Sequence, residues 1–351
     1  MLFYVGGYST ELLLARLDPE DGSMNVVSKV ETPENASFLS HVPRLSALYA
    51  TVESGYGGKG SGSIAAYRVG SNGTLTALGT AGTCGAGPCH VDVEPAKGLL
   101  AAANYGGENF VVIGLADDGT FGDQIACLGH EGSSVNRDRQ SEPHPHATTF
   151  SPDGAYLYVC DLGTDRIMRY PVDTLGSGSG TVAAEAAPGS GPRHLAFSPD
   201  ARYAYLVNEL SNTVVAYAYR AEDGSLSLLE ELSTLPQGYD QVSYAAEIQV
   251  HPSGRFVYAS NRGHETIAVF ARDEADGTLE LDGFFDVAGR GPRHFQVDAS
   301  GTWCLVANQG SEQVCSFRIE PQTGMGRWTG KSLSATAPAC VEFLRSDASD
   351  E

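Results

Sequence analysis

The repeat that decides the fold is clearest in residues 146–161, which read HATTFSPDGAYLYVCD. It returns in residues 193–208 as RHLAFSPDARYAYLVN, in residues 246–261 as AEIQVHPSGRFVYASN and in residues 293–308 as RHFQVDASGTWCLVAN. Each copy has a short alternating segment, a turn of the SPDG type and a second apolar segment. Such a unit predicts two antiparallel β-strands joined by a hairpin turn.

Two further strands follow each hairpin and complete a unit of four. They are joined by tight turns such as Asp223-Gly224 and Asp276-Gly277, in which glycine supplies the positive φ that a two-residue hairpin requires. Four antiparallel strands every roughly 40–50 residues is the period of a β-propeller. Each repeat is therefore predicted to form one propeller blade.

The two ends of the chain predict how the ring closes. Earlier copies begin at Cys89 and, in more degenerate form, near Ser37. A last copy at Ala339 supplies only a first strand, whose partners lie in residues 2–7, 12–18 and 24–30. We therefore predict an all-β fold, a single seven-bladed β-propeller domain over residues 1–351. Each blade has four antiparallel strands, and both termini share the last blade. Closure removes the exposed sheet edges that template aggregation.

The net charge of the chain argues against two classes of binding partner, nucleic acids and anionic membranes. The chain has 351 residues and a formal net charge of −21. Nucleic acids and anionic membranes need a basic footprint, so neither is expected as a partner. The charge also means that a site for an anionic substrate must be a local cluster of arginines. The oligomeric state stays open at this point.

The sequence also predicts a compartment. No apolar run approaches the roughly 18 residues of a membrane helix, and the first ten residues do not resemble a signal peptide. The seven cysteines are odd in number and lack zinc-type spacing. We therefore expect free, mostly buried thiols and a cytoplasmic location.

Charged residues that differ between blades indicate the functional site. In a blade the first strand lines the channel and the second runs antiparallel beside it, so the start of one and the end of the other meet at one mouth. The charged residues at these positions are His146, Arg193, Glu209, Arg262 and Arg293. They suit an anionic substrate and acid–base chemistry. The alternative is a salt-bridged ring that only stabilises the channel.

Secondary candidates lie near the same mouth. His90, His194 and His294 share one position in three blades, which favours a structural hydrogen bond, with His194 the exception because it follows Arg193. Glu247 takes that position in its own blade, and a carboxylate there makes it a candidate for substrate binding. Gln309, which follows a second strand, is another candidate.

Two connectors, 133–145 and 233–245, are unusually long and lead into first strands. Long loops above a site are commonly lids. They place further polar side chains within reach of a ligand: Arg137, Arg139, His144, Gln237 and Tyr239.

Three other patterns carry little weight. Residues 55–60 match the dinucleotide fingerprint GxGxxG but lie between two strands, with no helix to hold a phosphate. His144 and His146 lack a third metal ligand with diagnostic spacing, so no metal is expected. The sequence contains no GxSxG, which argues against a nucleophile-elbow serine hydrolase.

Taken together, several motifs resemble those of the bacterial lactonase family of seven-bladed propellers, of the 6-phosphogluconolactonase type, and of the related fungal carboxy-muconate cyclases. The matching stretches are residues 103–107 (ANYGG), 143–146 (PHPH), 161–165 (DLGTD), 191–194 (GPRH), 208–210 (NEL), 246–248 (AEI), 260–264 (SNRGH), 292–295 (PRHF) and 307–309 (ANQ). The resemblance implies a lactone or carboxylate site at the channel mouth. In the muconate cyclase a histidine, two arginines and a glutamate were proposed as the site, and the matching positions are His146, Arg193, Arg262 and Glu209.

From the residues and the resemblance we expect an ester hydrolase of sugar metabolism that opens a δ-lactone, most specifically 6-phosphogluconolactone of the pentose phosphate pathway. His146 or Glu209 activates a water, Arg193 and Arg262 stabilise the oxyanion, and Arg293 binds the phosphate or a carboxylate. His194, Glu247, His144 and Gln309 are expected around the substrate. No organic cofactor is expected. Two alternatives stay open: a lactonising cycloisomerase, and a non-catalytic scaffold for an acidic partner.

Overall fold

The computed structural model describes residues 1–58, 60–177 and 179–345. In this part of the chain there are seven sheets, each of four antiparallel strands. Short 3₁₀ turns accompany them at Pro43–Leu45, Tyr56–Gly58, Val172–Thr174 and Gln309–Ser311. No helix among the described residues is long and apolar enough to cross a membrane. The predicted all-β, seven-bladed fold is confirmed.

The strands are numbered in chain order and grouped below by blade, beginning with the blade that holds both ends of the chain. They are β1 (Leu2–Gly7), β2 (Glu11–Leu17), β3 (Met24–Glu31) and β28 (Pro338–Phe343); β4 (Ala36–Val42), β5 (Ala47–Val52), β6 (Ser63–Val69) and β7 (Leu75–Gly82); β8 (Pro88–Glu94), β9 (Leu99–Asn104), β10 (Asn109–Leu115) and β11 (Phe121–Gly129); β12 (Pro145–Phe150), β13 (Tyr156–Asp161), β14 (Arg166–Pro171) and β15 (Thr181–Glu185); β16 (Pro192–Phe197), β17 (Tyr203–Asn208), β18 (Thr213–Arg220) and β19 (Ser225–Ser233); β20 (Tyr244–Val250), β21 (Phe256–Arg262), β22 (Thr266–Arg272) and β23 (Leu279–Asp286); and β24 (Pro292–Val297), β25 (Trp303–Asn308), β26 (Gln313–Ile319) and β27 (Gly326–Ser334).

The shared blade forms as the sequence predicts. Strand β28 pairs antiparallel with β1, with Phe3 opposite Phe343 and Val5 opposite Val341. These apolar residues join one buried cluster that also includes Leu305 of the neighbouring blade. The ring is therefore closed by hydrogen bonds and by a continuous core.

A recurrent tyrosine ties neighbouring blades together. Tyr49 of β5 donates its hydroxyl hydrogen bond to the carbonyl of Gly119, in the hairpin turn of the next blade, at 2.8 Å. Tyrosines in β1, β13, β17 and β21 make the same bond to glycines of the adjoining blades: Tyr4 to Gly73, Tyr158 to Gly224, Tyr205 to Gly277 and Tyr258 to Gly324. A buried phenol needs a partner for its hydroxyl, and the glycine turn of the next blade supplies it.

The prediction that all cysteines are free thiols is wrong for one pair. Cys84 and Cys127 form a disulfide with their Cα atoms 6.5 Å apart, although 43 positions separate them in the sequence. Cys84 follows β7 and Cys127 lies in β11, so the pairing depends on how two neighbouring blades pack, which spacing does not report. The other five cysteines are free and buried, as expected.

Candidate active site

A β-bulge in the first strand of a blade turns one side chain toward the channel mouth. In β12 the register shifts between Pro145 and Ala147, so that His146 has no residue opposite it. The same shift isolates three residues at equivalent positions: Cys89, Arg193 and Arg293. Bulges bend a strand and re-aim side chains, and they are common beside active sites. Here they bring residues from separate blades to one mouth.

At this mouth lies a polar cavity of about 270 Å³. Its walls come from six blades and from the connector 133–145. The lining residues are Glu53, Tyr56, Cys89, Tyr105, Arg139, His146, Glu209, Tyr244, Arg262 and Arg293. Four of the five residues that the sequence selected are among them: His146, Glu209, Arg262 and Arg293.

Glu209, immediately after β17, is the most heavily paired residue of the cavity. Its Oε2 accepts hydrogen bonds from Arg193 Nε at 3.0 Å and Arg262 Nη2 at 2.9 Å, and its Oε1 accepts one from Arg139 Nη2 at 2.7 Å. Burial alone would raise the pKa of this carboxyl, but the neighbouring cations hold the pKa well below its usual range. Glu209 is therefore ionised.

His146 faces the same carboxylate from the neighbouring blade. Its Nε2 lies 3.9 Å from Glu209 Oε2, and its Nδ1 lies 3.8 Å from the Cys89 sulfur. Burial, reinforced by the charge of Arg193, holds the pKa of His146 well below the ordinary imidazole value. The ring is therefore neutral near pH 7 and able to accept a proton.

Arg293 of β24 faces Tyr8 and Glu53, which belong to the first two blades. Its guanidinium is 5.4 Å from the Tyr8 ring centroid, a cation–π contact, and no hydrogen bond or ion pair joins it to a described residue. The nearby Glu53 is already satisfied, because it accepts hydrogen bonds from Ser37 at 2.6 Å, Tyr8 at 3.0 Å and Tyr56 at 2.8 Å. Arg293 thus keeps its donors available for a ligand.

The connector 133–145 brings in a residue that strand-end reasoning did not select as catalytic. Arg139 donates to Glu209 and to the Tyr105 hydroxyl, the latter at 3.2 Å, and its guanidinium lies 5.7 Å from the Tyr244 ring centroid. Asp165 anchors the connector by accepting hydrogen bonds from Ser134 and from Gln140 at 2.8 Å. The connector is therefore packed over the cavity mouth, where its length suggested a lid.

The remaining sequence candidates do not line this cavity. Arg193 is only 2% exposed and lies beneath it, because its donors are taken by Glu209, by the Ala246 carbonyl and by His194. His194 and Glu247 lie deeper in the channel, 3.0 Å apart. Arg193, His194 and Glu247 therefore lie outside the lining of this cavity.

The other two candidates sit outside the lining as well. His144 stacks on Tyr105 with ring centroids 4.4 Å apart, and its Nδ1 lies 2.8 Å from the Tyr105 carbonyl oxygen. Gln309 begins a 3₁₀ turn after β25 and does not line the cavity. Five lining residues were not selected from the sequence: Glu53, Tyr56, Cys89, Tyr105 and Tyr244. The three tyrosines were missed because aromatic residues near strand ends do not differ visibly from core residues in a single sequence.

The local charge opposes that of the whole chain. Four guanidiniums meet here, those of Arg139, Arg193, Arg262 and Arg293, against the carboxylates of Glu53 and Glu209. The balance is positive although the chain carries a formal net charge of −21. Among the described residues, no three His, Cys, Asp or Glu side chains are grouped as a metal ion would require. The arrangement can bind an anion, accept a proton and stabilise a developing oxyanion.

Comparison with known proteins agrees with the fold. The family described as "Lactonase, 7-bladed beta-propeller" matches residues 2–343. The chain is 31% identical to a 6-phosphogluconolactonase of Bacillus subtilis over 343 residues, covering 97% of this chain and 96% of that protein. It is 30% identical to a 6-phosphogluconolactonase of Pectobacterium atrosepticum over 329 residues, covering 93% of each.

A solved structure extends the comparison. The periplasmic gluconolactonase of Pseudomonas aeruginosa superposes with a TM-score of 0.91 at 31% identity, covering 98% of this chain and 99% of that one. The resemblance inferred from the sequence motifs is confirmed. The chain belongs to the lactonase family of seven-bladed β-propellers.

Proposed function

We propose that this protein hydrolyses a sugar δ-lactone, and that 6-phosphogluconolactone is its substrate. The observation that carries the proposal is the unpaired guanidinium of Arg293 in a cavity whose two carboxylates are already satisfied. A phosphate monoester carries a charge of roughly −1.5 to −2 at pH 7, which matches the positive excess of the site. The names of the relatives, 6-phosphogluconolactonase and gluconolactonase, support the same class of substrate.

In the proposed mechanism His146 is the general base. It takes a proton from a water molecule, whose oxygen attacks the lactone carbonyl carbon and forms a tetrahedral intermediate. The intermediate collapses by breaking the bond between that carbon and the ring oxygen, which leaves with the proton returned by His146. The products are a free hydroxyl and a carboxylic acid, which releases its proton to solvent and becomes a carboxylate. A neutral imidazole suits this role, whereas the ionised Glu209, held by three arginines, is a weak base.

Arginines at the cavity wall stabilise the intermediate. Arg262 and Arg139 donate to Glu209 and face the cavity, so each has further donors for the oxyanion. Removing one such donor elsewhere costs about 2.7–4 kcal/mol of transition-state stabilisation. Arg193, beneath the cavity, acts in this proposal by holding Glu209 rather than by touching substrate. Arg293 binds the phosphate.

The test compares two lactones in wild type and in Arg293→Ala. Base consumption is measured on freshly prepared 6-phosphogluconolactone and gluconolactone. The variant should raise KM for the phosphorylated lactone at least tenfold and change that for gluconolactone less than threefold. Arg327→Ala, an exposed arginine of β27, is the matched control. Equal effects on both substrates would overturn the phosphate assignment, and a wild type that opens neither lactone but changes the absorbance of a carboxy-muconate would replace hydrolysis by cycloisomerisation.

We propose the cytoplasm and the pentose phosphate pathway as the setting. Five buried free thiols support the location, whereas the Cys84–Cys127 disulfide is typical of an oxidising compartment and one relative is named as periplasmic. The decisive observation is the state of Cys127 in intact cells. Alkylation of Cys127 by a thiol reagent before lysis would support the cytoplasm, and complete protection would place the chain in an oxidising compartment.

A further inference from the structure

A chain of buried polar contacts runs from the cavity floor into the channel. Glu209 is held by Arg193, and Arg193 Nη1 donates to the Ala246 carbonyl at 2.7 Å. The same Nη1 lies 3.1 Å from Nε2 and 3.4 Å from Nδ1 of His194, so it lies over the face of the imidazole ring. Nδ1 of His194 lies 3.0 Å from Glu247 Oε2. These four side chains lie almost wholly out of solvent.

The contact with Glu247 indicates the tautomer of His194. A carboxyl oxygen that accepts from Nδ1 requires the ring hydrogen on Nδ1. In the neutral ring Nε2 then carries the lone pair. Glu247 therefore selects the tautomer of His194 that leaves Nε2 without a hydrogen.

We propose that Glu247 and His194 are positioning residues that hold Arg193 in the orientation in which it clamps Glu209 at the cavity floor. The inference rests on the proposed function, because Glu209 and the neighbouring His146 are the groups that the clamp serves. Neither Glu247 nor His194 lines the cavity. Their substitution is therefore expected to change kcat and not KM.

The surroundings of Glu247 give the pair a pH dependence. Arg193 and His194 of β16, His294 of β24 and Glu342 of β28 face its carboxyl, and its backbone N–H donates to Ser260 of β21. Burial raises the pKa of Glu247 to about 8, against the lowering effect of Arg193. Ionisation of Glu247 places a second anion near Arg193, which then shares its charge between two carboxylates and holds Glu209 less firmly. We expect kcat to fall as the pH rises through about 8.

The experiment uses Glu247→Gln and Glu247→Leu. The amide oxygen of glutamine still accepts a hydrogen bond from His194, but the amide group does not titrate. This variant should therefore keep kcat within threefold at pH 7 and should no longer show the fall in kcat as the pH rises through about 8. Leucine cannot accept, so kcat should fall at least tenfold with KM unchanged. Glu342→Gln is the matched control, because this buried channel carboxyl contacts Gln296 and not His194. It should keep the fall in kcat at alkaline pH, moved to a lower pH because the charge of Glu342 contributes to the raised pKa of Glu247.

The proposal would be overturned if kcat of Glu247→Gln still fell at alkaline pH. It would also be overturned if Glu247→Leu kept the kcat of wild type. If the leucine variant does not fold, the pH profile of the glutamine variant decides. Nitrogen NMR of the His194 ring separates this inference from the proposed function, because it needs no substrate. We expect the Nδ1–H tautomer in wild type and in Glu247→Gln. A predominant Nε2–H tautomer in wild type would overturn the proposal whatever the protein hydrolyses.

Discussion

Nε2 of His146 lies 3.9 Å from Oε2 of Glu209, beyond hydrogen-bonding distance, so the neutral imidazole and the ionised carboxylate face each other across a gap. The three arginines that neutralise Glu209 leave its oxygens occupied. The imidazole nitrogen, in contrast, has no such donor in front of it. Because the oxygens of Glu209 are occupied and Nε2 of His146 is not, we assign the role of general base to His146.

Replacing His146 by glutamine should lower kcat/KM by at least about 10²-fold, a range typical of the loss of a general base. Burial holds the pKa of His146 well below 6.5, so protonation and loss of activity in wild type are expected only well below pH 6.5. This acidic limb should vanish in the variant, measured as kcat/KM against pH. Persistence of the limb in His146→Gln and its loss in Glu209→Gln would reverse the assignment.

Arg262→Ala should lower kcat/KM by about 10²-fold, near 2.7 kcal/mol, because it removes an oxyanion donor at the cavity wall. Arg193→Ala should lower it similarly, through the loss of the clamp on Glu209. Each arginine also donates to a backbone carbonyl, Arg193 to Ala246 and Arg262 to Ala245, but the Arg193 side chain is 3% exposed and that of Arg262 is 19% exposed. Water can therefore replace the lost donor more easily in Arg262→Ala than in Arg193→Ala. The melting temperature should fall in Arg193→Ala and change little in Arg262→Ala. Near-wild-type turnover in both would favour the scaffold alternative.

Arg139→Ala tests whether the connector takes part in binding. A hydrogen bond to a charged group contributes about 1.5–3 kcal/mol, so the loss of this oxyanion donor should lower kcat/KM about tenfold or more. Arg137→Ala is the control, because this arginine belongs to the same connector and is exposed. Steady-state kinetics with the lactone distinguishes the two. Equal kcat/KM values in both variants would mean that the connector does not contact substrate.

The Cys84–Cys127 disulfide should stabilise the second and third blades against unfolding. For a closed loop of this length the chain-entropy model gives about 4 kcal/mol as an upper estimate. Reduction should therefore lower the melting temperature of wild type and leave that of a Cys84→Ser/Cys127→Ser double variant unchanged. The same melting temperature in wild type with and without reductant would show that the bridge adds no stability.

Removal of residues 339–351 should open the ring. The deletion takes away most of β28, the channel-lining strand of the shared blade, and exposes the edge of β1 together with the apolar cluster around Phe3. We expect an aggregated product by size-exclusion chromatography. A monomeric product with an unchanged melting temperature would contradict the role assigned to this strand.

The sequence by itself determined that the blades form a ring and which four charged residues meet at the cavity mouth. A hairpin repeat with an alternating pattern forces each first and second strand into the same orientation, so equivalent positions in different blades reach the same mouth. This is why His146, Glu209, Arg262 and Arg293 could be selected without coordinates. It is also why the blade shared by residues 2–7 and 338–343 could be anticipated.

The tertiary structure alone decided how deep each side chain lies and what the connectors do. Arg193 and Arg293 occupy the same bulge position, yet Arg193 lies beneath the cavity because Glu209, the Ala246 carbonyl and His194 hold it there. Arg139 reaches Glu209 because Asp165 fixes the path of its connector. Neither fact is periodic in the sequence, because both depend on contacts between blades far apart along the chain. Local pattern sets the direction of a strand, whereas the packing of several blades sets the burial and the partner of each charge.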